Sequence, residues 1–172
     1  MLILGAIVAG GRATRFGADK ALAQWRGRAL IAHAADALRP WVNELAVCGR
    51  EWSGLQSIAD LPAPGLGPLG GLAGALSYAV GSGFDAVLTI ACDTLDVPGD
   101  LFERLTHHAP SFCVDAPVLG YWPATLAPTL RDRLARGEER SLRGWARAVG
   151  AVPVAAGTPL RNVNTPADLA TA

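Results

Sequence analysis

The residues best suited to chemistry lie between Gly10 and Lys20, in the run Gly-Gly-Arg-Ala-Thr-Arg-Phe-Gly-Ala-Asp-Lys. Gly10 and Gly11 directly follow an apolar run, and a glycine pair there lets the backbone turn sharply and approach a ligand that any Cβ would hold off. Arg12, Arg15 and Lys20 then place three cations within nine residues, with Gly17 between them. Exposed N–H groups together with such side chains form a cradle for phosphates. Lys20 is the single lysine of a chain with fourteen arginines, so a compact point charge is kept where a fork-shaped one is used elsewhere. A glycine-rich turn with solvated charges is the competing reading. Two familiar phosphate loops fail on spacing: the glycines at 10, 11 and 17 do not match Gly-x-Gly-x-x-Gly, and Lys20 is followed by Ala21 rather than Ser or Thr.

Further along, Asp93 ends the apolar run Ala86–Cys92. Open α/β sheets bind their ligands at the carboxyl ends of strands, and a carboxylate there needs a cation, a donor or water. A magnesium ion shared with substrate phosphates suits it; so does a capping role for the helix after Pro98, a service that Thr94 and Asp96 also offer. Asp60 closes a short strand before Pro62, as a ligand to nucleotide or metal or as an Asx turn. Gly67-Pro68-Leu69-Gly70-Gly71 opens a helix, which turns its N–H groups toward whatever lies above the sheet or simply starts the helix.

The elements that must position these residues follow from periodicity. Met1–Ala9 is a short uncharged apolar run that reads as a buried strand, Glu44–Cys48 fits a second strand, and Ala86–Cys92 is a continuous apolar run of the kind buried on both faces of a parallel sheet. Ser57–Ala59 fits a very short strand and Ala151–Ala155 a last one, with one or two more within Ser111–Trp122. Leu30–Leu38, Leu72–Val80, Pro98–Leu105, Thr125–Ala135 and Leu142–Val149 read as helices, and Thr165 with Pro166 caps and opens a terminal one. Pro62–Gly71 is too dense in Pro and Gly for either element. Ala21–Arg28 is ambiguous, with Gly27 turning it. Arg131, Arg133, Arg136, Arg143 and Arg147 read mostly as solvated helix faces. Alternating strands and helices predict one α/β domain over residues 1–172, a Rossmann-like, mostly parallel sheet with helices on both faces.

Composition excludes several classes. Fifteen basic residues balance fifteen acidic ones, and the arginines form no block, which argues against a nucleic-acid surface. The N-terminal apolar run lacks a basic flank and is too short to span a bilayer. Cys48, Cys92 and Cys113 are odd in number and widely spaced, and His33, His107 and His108 make no metal spacing with them. They read as buried thiols of a cytoplasmic protein.

The pattern Ala-Gly-Gly-x-x-x-Arg-x-Gly-x-Asp-Lys, followed in order by Ile58-Ala59-Asp60, Gly67-Pro68-Leu69-Gly70-Gly71, Cys92-Asp93-Thr94 and Asn162-Val163-Asn164-Thr165-Pro166, resembles the molybdenum cofactor guanylyltransferases. The resemblance is thinnest between residues 106 and 150. It implies a nucleotidyltransferase fold and magnesium-dependent transfer of GMP from GTP to molybdopterin or its molybdenum-loaded form, releasing pyrophosphate. By that resemblance Val8, Ala9, Gly10 and Gly11 meet the nucleotide, Val8 to Gly10 with main-chain groups on guanine. Lys20 binds the triphosphate, Asp60 the nucleotide, and Asp93 both nucleotide and Mg2+. Gly67, Gly71, Arg15, Asn162 and Asn164 lie toward the pterin. Lys20, Arg15 and Asp93 are the expected catalytic groups. The expected partners are GTP and the pterin, with transient contact to proteins that make or accept the cofactor, and with neither nucleic acid nor membrane. A cytidylyltransferase of the same pathway, or a nucleotide-binding module without turnover, are the alternatives.

Overall fold

The computed structural model describes residues 1–10 and 19–170. In chain order these form strand β1 (Ile3–Val8), hairpin strands β2 (Gln24–Trp25) and β3 (Arg28–Ala29), helix α1 (Leu30–Leu38), and strands β4 (Glu44–Cys48) and β5 (Gln56–Ile58). Helix α2 (Pro68–Ser82), strands β6 (Ala86–Ala91) and β7 (Thr94–Leu95), helix α3 (Gly99–Thr106), and strands β8 (Ser111–Cys113) and β9 (Gly120–Pro123) follow. Helices α4 (Ala127–Ala135) and α5 (Leu142–Ala148), strands β10 (Val152–Val154) and β11 (Arg161–Asn162), and helix α6 (Pro166–Ala170) complete the series. A seven-stranded sheet runs β10-β8-β9-β6-β1-β4-β5. Its strand pairs are parallel except those made by β9, which lies antiparallel to β6 and β8.

The central strands are apolar throughout because both faces are covered. In β1, Leu4 and Ala6 join a layer with α2, α4 and α5, whereas Ile7 joins the opposite layer with α1 and α3. Strand β4 divides the same way, Ala46 and Cys48 against Leu45 and Val47. This is the period of two expected of a pleated strand, doubled by burial on both sides. Thr89, in the middle of β6, is a buried exception. Its Oγ1 donates to the Val118 carbonyl at 2.5 Å and accepts from Trp122 Nε1 at 3.1 Å, so the hydroxyl leaves no polar group unmatched.

Helix α2 departs from expectation by starting at Pro68, four residues before Leu72, so that Gly70 and Gly71 are helical. Low helix propensity is overruled here by close packing. Pro68 supplies the first-turn φ, and Gly67 takes φ +67° ahead of it, a backbone that favours glycine. A Cβ on Gly71 would lie 3.3 Å from both the Cys48 Cβ and the Val8 Cγ1, and one on Gly74 would run into the Ala59 carbonyl oxygen. The glycine face therefore lets α2 sit directly on β1, β4 and the end of β5. The ambiguous Ala21–Arg28 stretch is a short 3₁₀ turn, Lys20–Leu22, followed by the β2–β3 hairpin, which Arg26 and Gly27 turn with φ of +50° and +75°. Pro98 precedes α3 as its N-cap, one residue later than expected. Arg133 is no solvated charge: it is mostly buried and pairs with Glu138 at 2.8 Å.

Two substitutions in α2 separate propensity from packing. Gly74→Ala is expected to destabilise by about 1–3 kcal/mol, because overpacking against a carbonyl outweighs the intrinsic preference of a helix for alanine. Gly81→Ala, whose Cβ would meet open space, is expected to stabilise by about 0.4–1 kcal/mol. Urea midpoints of the two variants check both signs.

Candidate active site

Strand β1 lies between β4 and β6, with Val8 opposite Cys48 on one side and Ala91 on the other. The segments that leave these three strands at their carboxyl ends are therefore side by side. Above them is a cavity of about 580 Å³, within the range typical of small-molecule sites. Val8, Ala9 and Gly10 line it from β1, Gly49 and Arg50 from β4, and Ala91, Cys92 and Asp93 from β6. Asp19, Lys20 and Ala21 enter from the 3₁₀ turn, Gly67 and Pro68 from the start of α2, and Val118 from the β8–β9 connection.

Lys20 and Asp93, 73 positions apart, meet in this cavity: Nζ donates to Asp93 Oδ2 at 2.5 Å. The capping alternative for Asp93 is not realised, since α3 starts without a side-chain cap and Asp96 pairs instead with Arg161 at 3.1 Å. Lys20 Nζ also reaches Asn164 Oδ1 at 3.4 Å. Asn164 is held in turn by Asp168, whose Oδ2 accepts from the N–H groups of Asn164 at 2.7 Å and Thr165 at 2.8 Å. Those two backbone donors hold the Asp168 carboxyl below its usual range. Asn162 sits on β11, which pairs antiparallel with β7 immediately after Asp93, and its Oδ1 accepts from Thr94 Oγ1 at 3.2 Å.

Asp60 stands behind this wall rather than on it. Its carboxylate packs against glycines: a Cβ on Gly10 would lie 3.2 Å from Oδ2, and one on Gly71 would lie 3.6 Å from Oδ1. Oδ1 is buried with no hydrogen-bond partner, so that oxygen does not close an Asx turn. Burial raises the Asp60 carboxyl. Burial likewise pushes the thiols of Cys48 and Cys92 up to about 12, with the carboxylates of Asp60 and Asp93 respectively adding to it. Both remain protonated at neutral pH and serve as packing rather than as nucleophiles or ligands.

Val8, Ala9, Gly10, Lys20, Gly67 and Asp93 thus share one cavity wall. Asp60, Gly71, Asn162 and Asn164 are packed against or tied to that wall, while Gly11 and Arg15 lie outside the described residues. Asp19, the Asp of the glycine-loop motif, and Arg50, which the sequence reading does not single out, also line the cavity. Arg50 carried the same signal as Asp93, a charged residue just past the end of a buried strand. Of the two carboxylates on the wall among the described residues, Asp19 is held on both oxygens by Arg50, which leaves Asp93 as the donor for a divalent cation. No group of three or more His, Cys, Asp or Glu is clustered for metal binding among the described residues. A single carboxylate beside a space for phosphates fits a hard, oxygen-seeking ion such as magnesium. No helix among the described residues is long and apolar enough to cross a membrane.

Comparison with known proteins places this geometry. A family model described as the MobA-like NTP transferase domain matches residues 5–152. A molybdenum cofactor guanylyltransferase of Rhodobacter capsulatus is 38% identical over 183 aligned positions, covering 100% of this chain and 95% of the relative. Among solved structures, the molybdopterin-guanine dinucleotide biosynthesis protein A of Archaeoglobus fulgidus superposes with a TM-score of 0.75 at 20% identity, covering 98% of this chain and 95% of that one. The Rv0371C protein of Mycobacterium tuberculosis H37Rv, in complex with manganese, has a TM-score of 0.58 at 14% identity, covering 90% and 88%.

The unpartnered Asp60 gives a pH signature. A carboxyl raised by burial binds its proton more tightly folded than unfolded, so stability falls as pH rises from the unfolded value, about 3.9, through the raised folded value, and then levels off. Asp60→Asn removes that loss. Its melting temperature is expected to gain on the unmodified chain as pH rises above the unfolded carboxyl value of about 3.9, and a gap that does not widen would assign Asp60 an ionised, well-solvated state.

Proposed function

This chain belongs to the MobA-like NTP transferase family, and on that premise we propose that it transfers GMP from GTP to molybdopterin, or to its molybdenum-loaded form, releasing pyrophosphate. The observation that carries the reading is the meeting of Lys20 and Asp93 at 2.5 Å on the wall of a cavity at the carboxyl ends of parallel strands. In the reaction, a phosphate oxygen of the pterin forms a bond to the α-phosphorus of GTP while the bond to the bridging α–β oxygen breaks. Both reactants are anions, so catalysis is mostly positioning and charge neutralisation. The nucleophile is a phosphate already deprotonated near neutral pH, so no general base is required.

Lys20 binds the triphosphate and offsets charge on the departing pyrophosphate, a role that Arg15 shares. Asp93 would hold a magnesium ion, which would supply positive charge against the phosphates. The manganese complex of the mycobacterial structural neighbour supports a divalent cation in this fold. Val8, Ala9, Gly10 and Gly11 present main-chain groups to the nucleotide, and Gly67 at the start of α2 leaves room for a planar ring. Asp60 serves the nucleotide side, where its unpartnered oxygen can accept an N–H or O–H. Gly71, Asn162 and Asn164 serve the pterin side, the last tied to Lys20 and thereby to the phosphates. The protein acts in the cytoplasm, where its three buried cysteines remain free, as one domain whose further contacts are transient ones with proteins that supply or accept the cofactor.

A pyrophosphate-release assay across nucleoside triphosphates, with molybdopterin as acceptor, tests the reading. GTP is expected to turn over and to bind more tightly than CTP by calorimetry; a preference for CTP would make the chain a cytidylyltransferase, and binding without release a regulatory module. Asp93→Asn is expected to keep the fold and lose magnesium-dependent turnover, and an active variant would remove Asp93 from the chemistry. Lys20→Arg is the sharper test. A broad guanidinium cannot occupy the place of a compact ammonium between Asp93 and Asn164, and a misplacement of about 1 Å costs on the order of 100-fold in rate. Turnover of Lys20→Arg at the unmodified rate would leave Lys20 a generic cation.

A further inference from the structure

A second ion pair crosses the mouth of the same cavity. Arg50, just past the end of β4, directs both ends of its guanidinium at Asp19, with Nη1 to Oδ1 at 2.5 Å and Nη2 to Oδ2 at 2.6 Å. Asp19 is the residue before Lys20 and the N-cap of the 3₁₀ turn, its Oδ1 also accepting from the Ala21 N–H at 3.2 Å. One carboxylate therefore closes the turn that carries Lys20 and fastens that turn to the sheet. The Arg50 side chain is 19% exposed and lines the cavity, whereas Asp19 is 46% exposed. The Arg50 hydrogen bonds are the largest cause holding the Asp19 carboxyl below its usual range.

We propose that Arg50 is a positioning residue for Lys20: through its two-pronged grip on Asp19 it sets where the lysine ammonium stands relative to Asp93. Three observations carry this. The grip is bidentate, which fixes orientation as well as distance. Its two ends join elements 31 positions apart, the sheet at β4 and the turn after β1. The held turn is a three-residue 3₁₀ element that Ala21 packs into the core beside α1, and the Asp19–Arg50 pair ties its N-cap residue to the end of β4. A pair as exposed as this contributes little to global stability, so its value lies in where it puts Lys20. The proposal rests on the role assigned above to Lys20 in phosphate binding.

The test is a double-mutant cycle in the full chain with Arg50→Ala, Asp19→Asn and the two combined, plus Arg50→Lys. Asp19→Asn keeps an oxygen for the Ala21 cap and removes the charge pair. Each single variant is expected to lower kcat/KM for GTP by about 10- to 100-fold, with melting temperatures nearly unchanged. The combined variant is expected to be no worse than the worse single one, because both act through one contact. Arg50→Lys, which cannot grip both oxygens, is expected to fall between Arg50→Ala and the unmodified chain. Losses that multiply in the combined variant would overturn the proposal and make Arg50 an independent contact to substrate, as would full activity of Arg50→Ala. Amide hydrogen exchange of Ala21 and Leu22 is measured on the same four proteins without any substrate. It is expected to quicken in every variant, and unchanged exchange would also overturn the proposal. If the unmodified chain transfers no GMP, the functional reading fails, and the exchange data still decide whether Arg50 holds the turn.

Discussion

An ammonium and a carboxylate brought to 2.5 Å by chain segments 73 positions apart set the demands on the rest of this fold. Neither group is held by a regular element of its own. Asp93 is two residues beyond β6, and Lys20 opens a three-residue turn that follows β1. What makes their meeting reproducible is the parallel pairing of β1 with β6, which puts Val8 opposite Ala91. Two strands that end together release their following segments on the same side. The apolar interior of β1, β4 and β6 thus acts on the site indirectly, since slippage by one residue would exchange the two buried faces, each packed by different helices, and move Asp93 away.

Glycine is the second constraint. Gly10, Gly49 and Gly71 crowd Asp60, and a side chain at any of them would press on the carboxylate or on a neighbouring backbone. Gly49 and Gly67 also adopt positive φ at the cavity wall. These positions allow backbones to approach a ligand and one another, and they leave a buried carboxylate oxygen without a donor. A site arranged for stability alone would supply that oxygen with a partner. Local rules are broken most densely here, as expected where function sets the local structure.

The order of strands and helices was legible because burial writes itself into composition. Ala86–Cys92 and Glu44–Cys48 are apolar on both faces, and the structure has them as β6 and β4 with strand ends within a residue of the reading. Helix α2 was read short because Gly70 and Gly71 argue against helix in isolation, and only their contact with Val8, Cys48 and Asp60 explains why they are helical. Strand β7 escaped because two residues carry no period, and its pairing with β11 joins positions some 66 apart, Leu95 with Arg161. The site was legible where a charge follows a buried strand, as at Asp93. Arg50 satisfied the same rule and passed unnoticed among fourteen arginines, because its distinction is a partner, Asp19, that spacing does not reveal.

Charge at the cavity completes the physical picture. Among the described residues, the charged side chains on its wall are Asp19, Lys20, Arg50 and Asp93, and each of these cations is paired with one of these carboxylates. On the reading proposed above, an entering anion would exchange for Asp93 as the partner of Lys20, and a divalent cation held by Asp93 would offset the charge of the carboxylate left behind. Arg50 does not enter that exchange, because Asp19 answers it on both oxygens. The two pairs, similar in length, therefore have different tasks. On the same reading, Lys20–Asp93 is the pair that would open to substrate, and Arg50–Asp19 the pair that would stay closed so that the opening occurs in the right place.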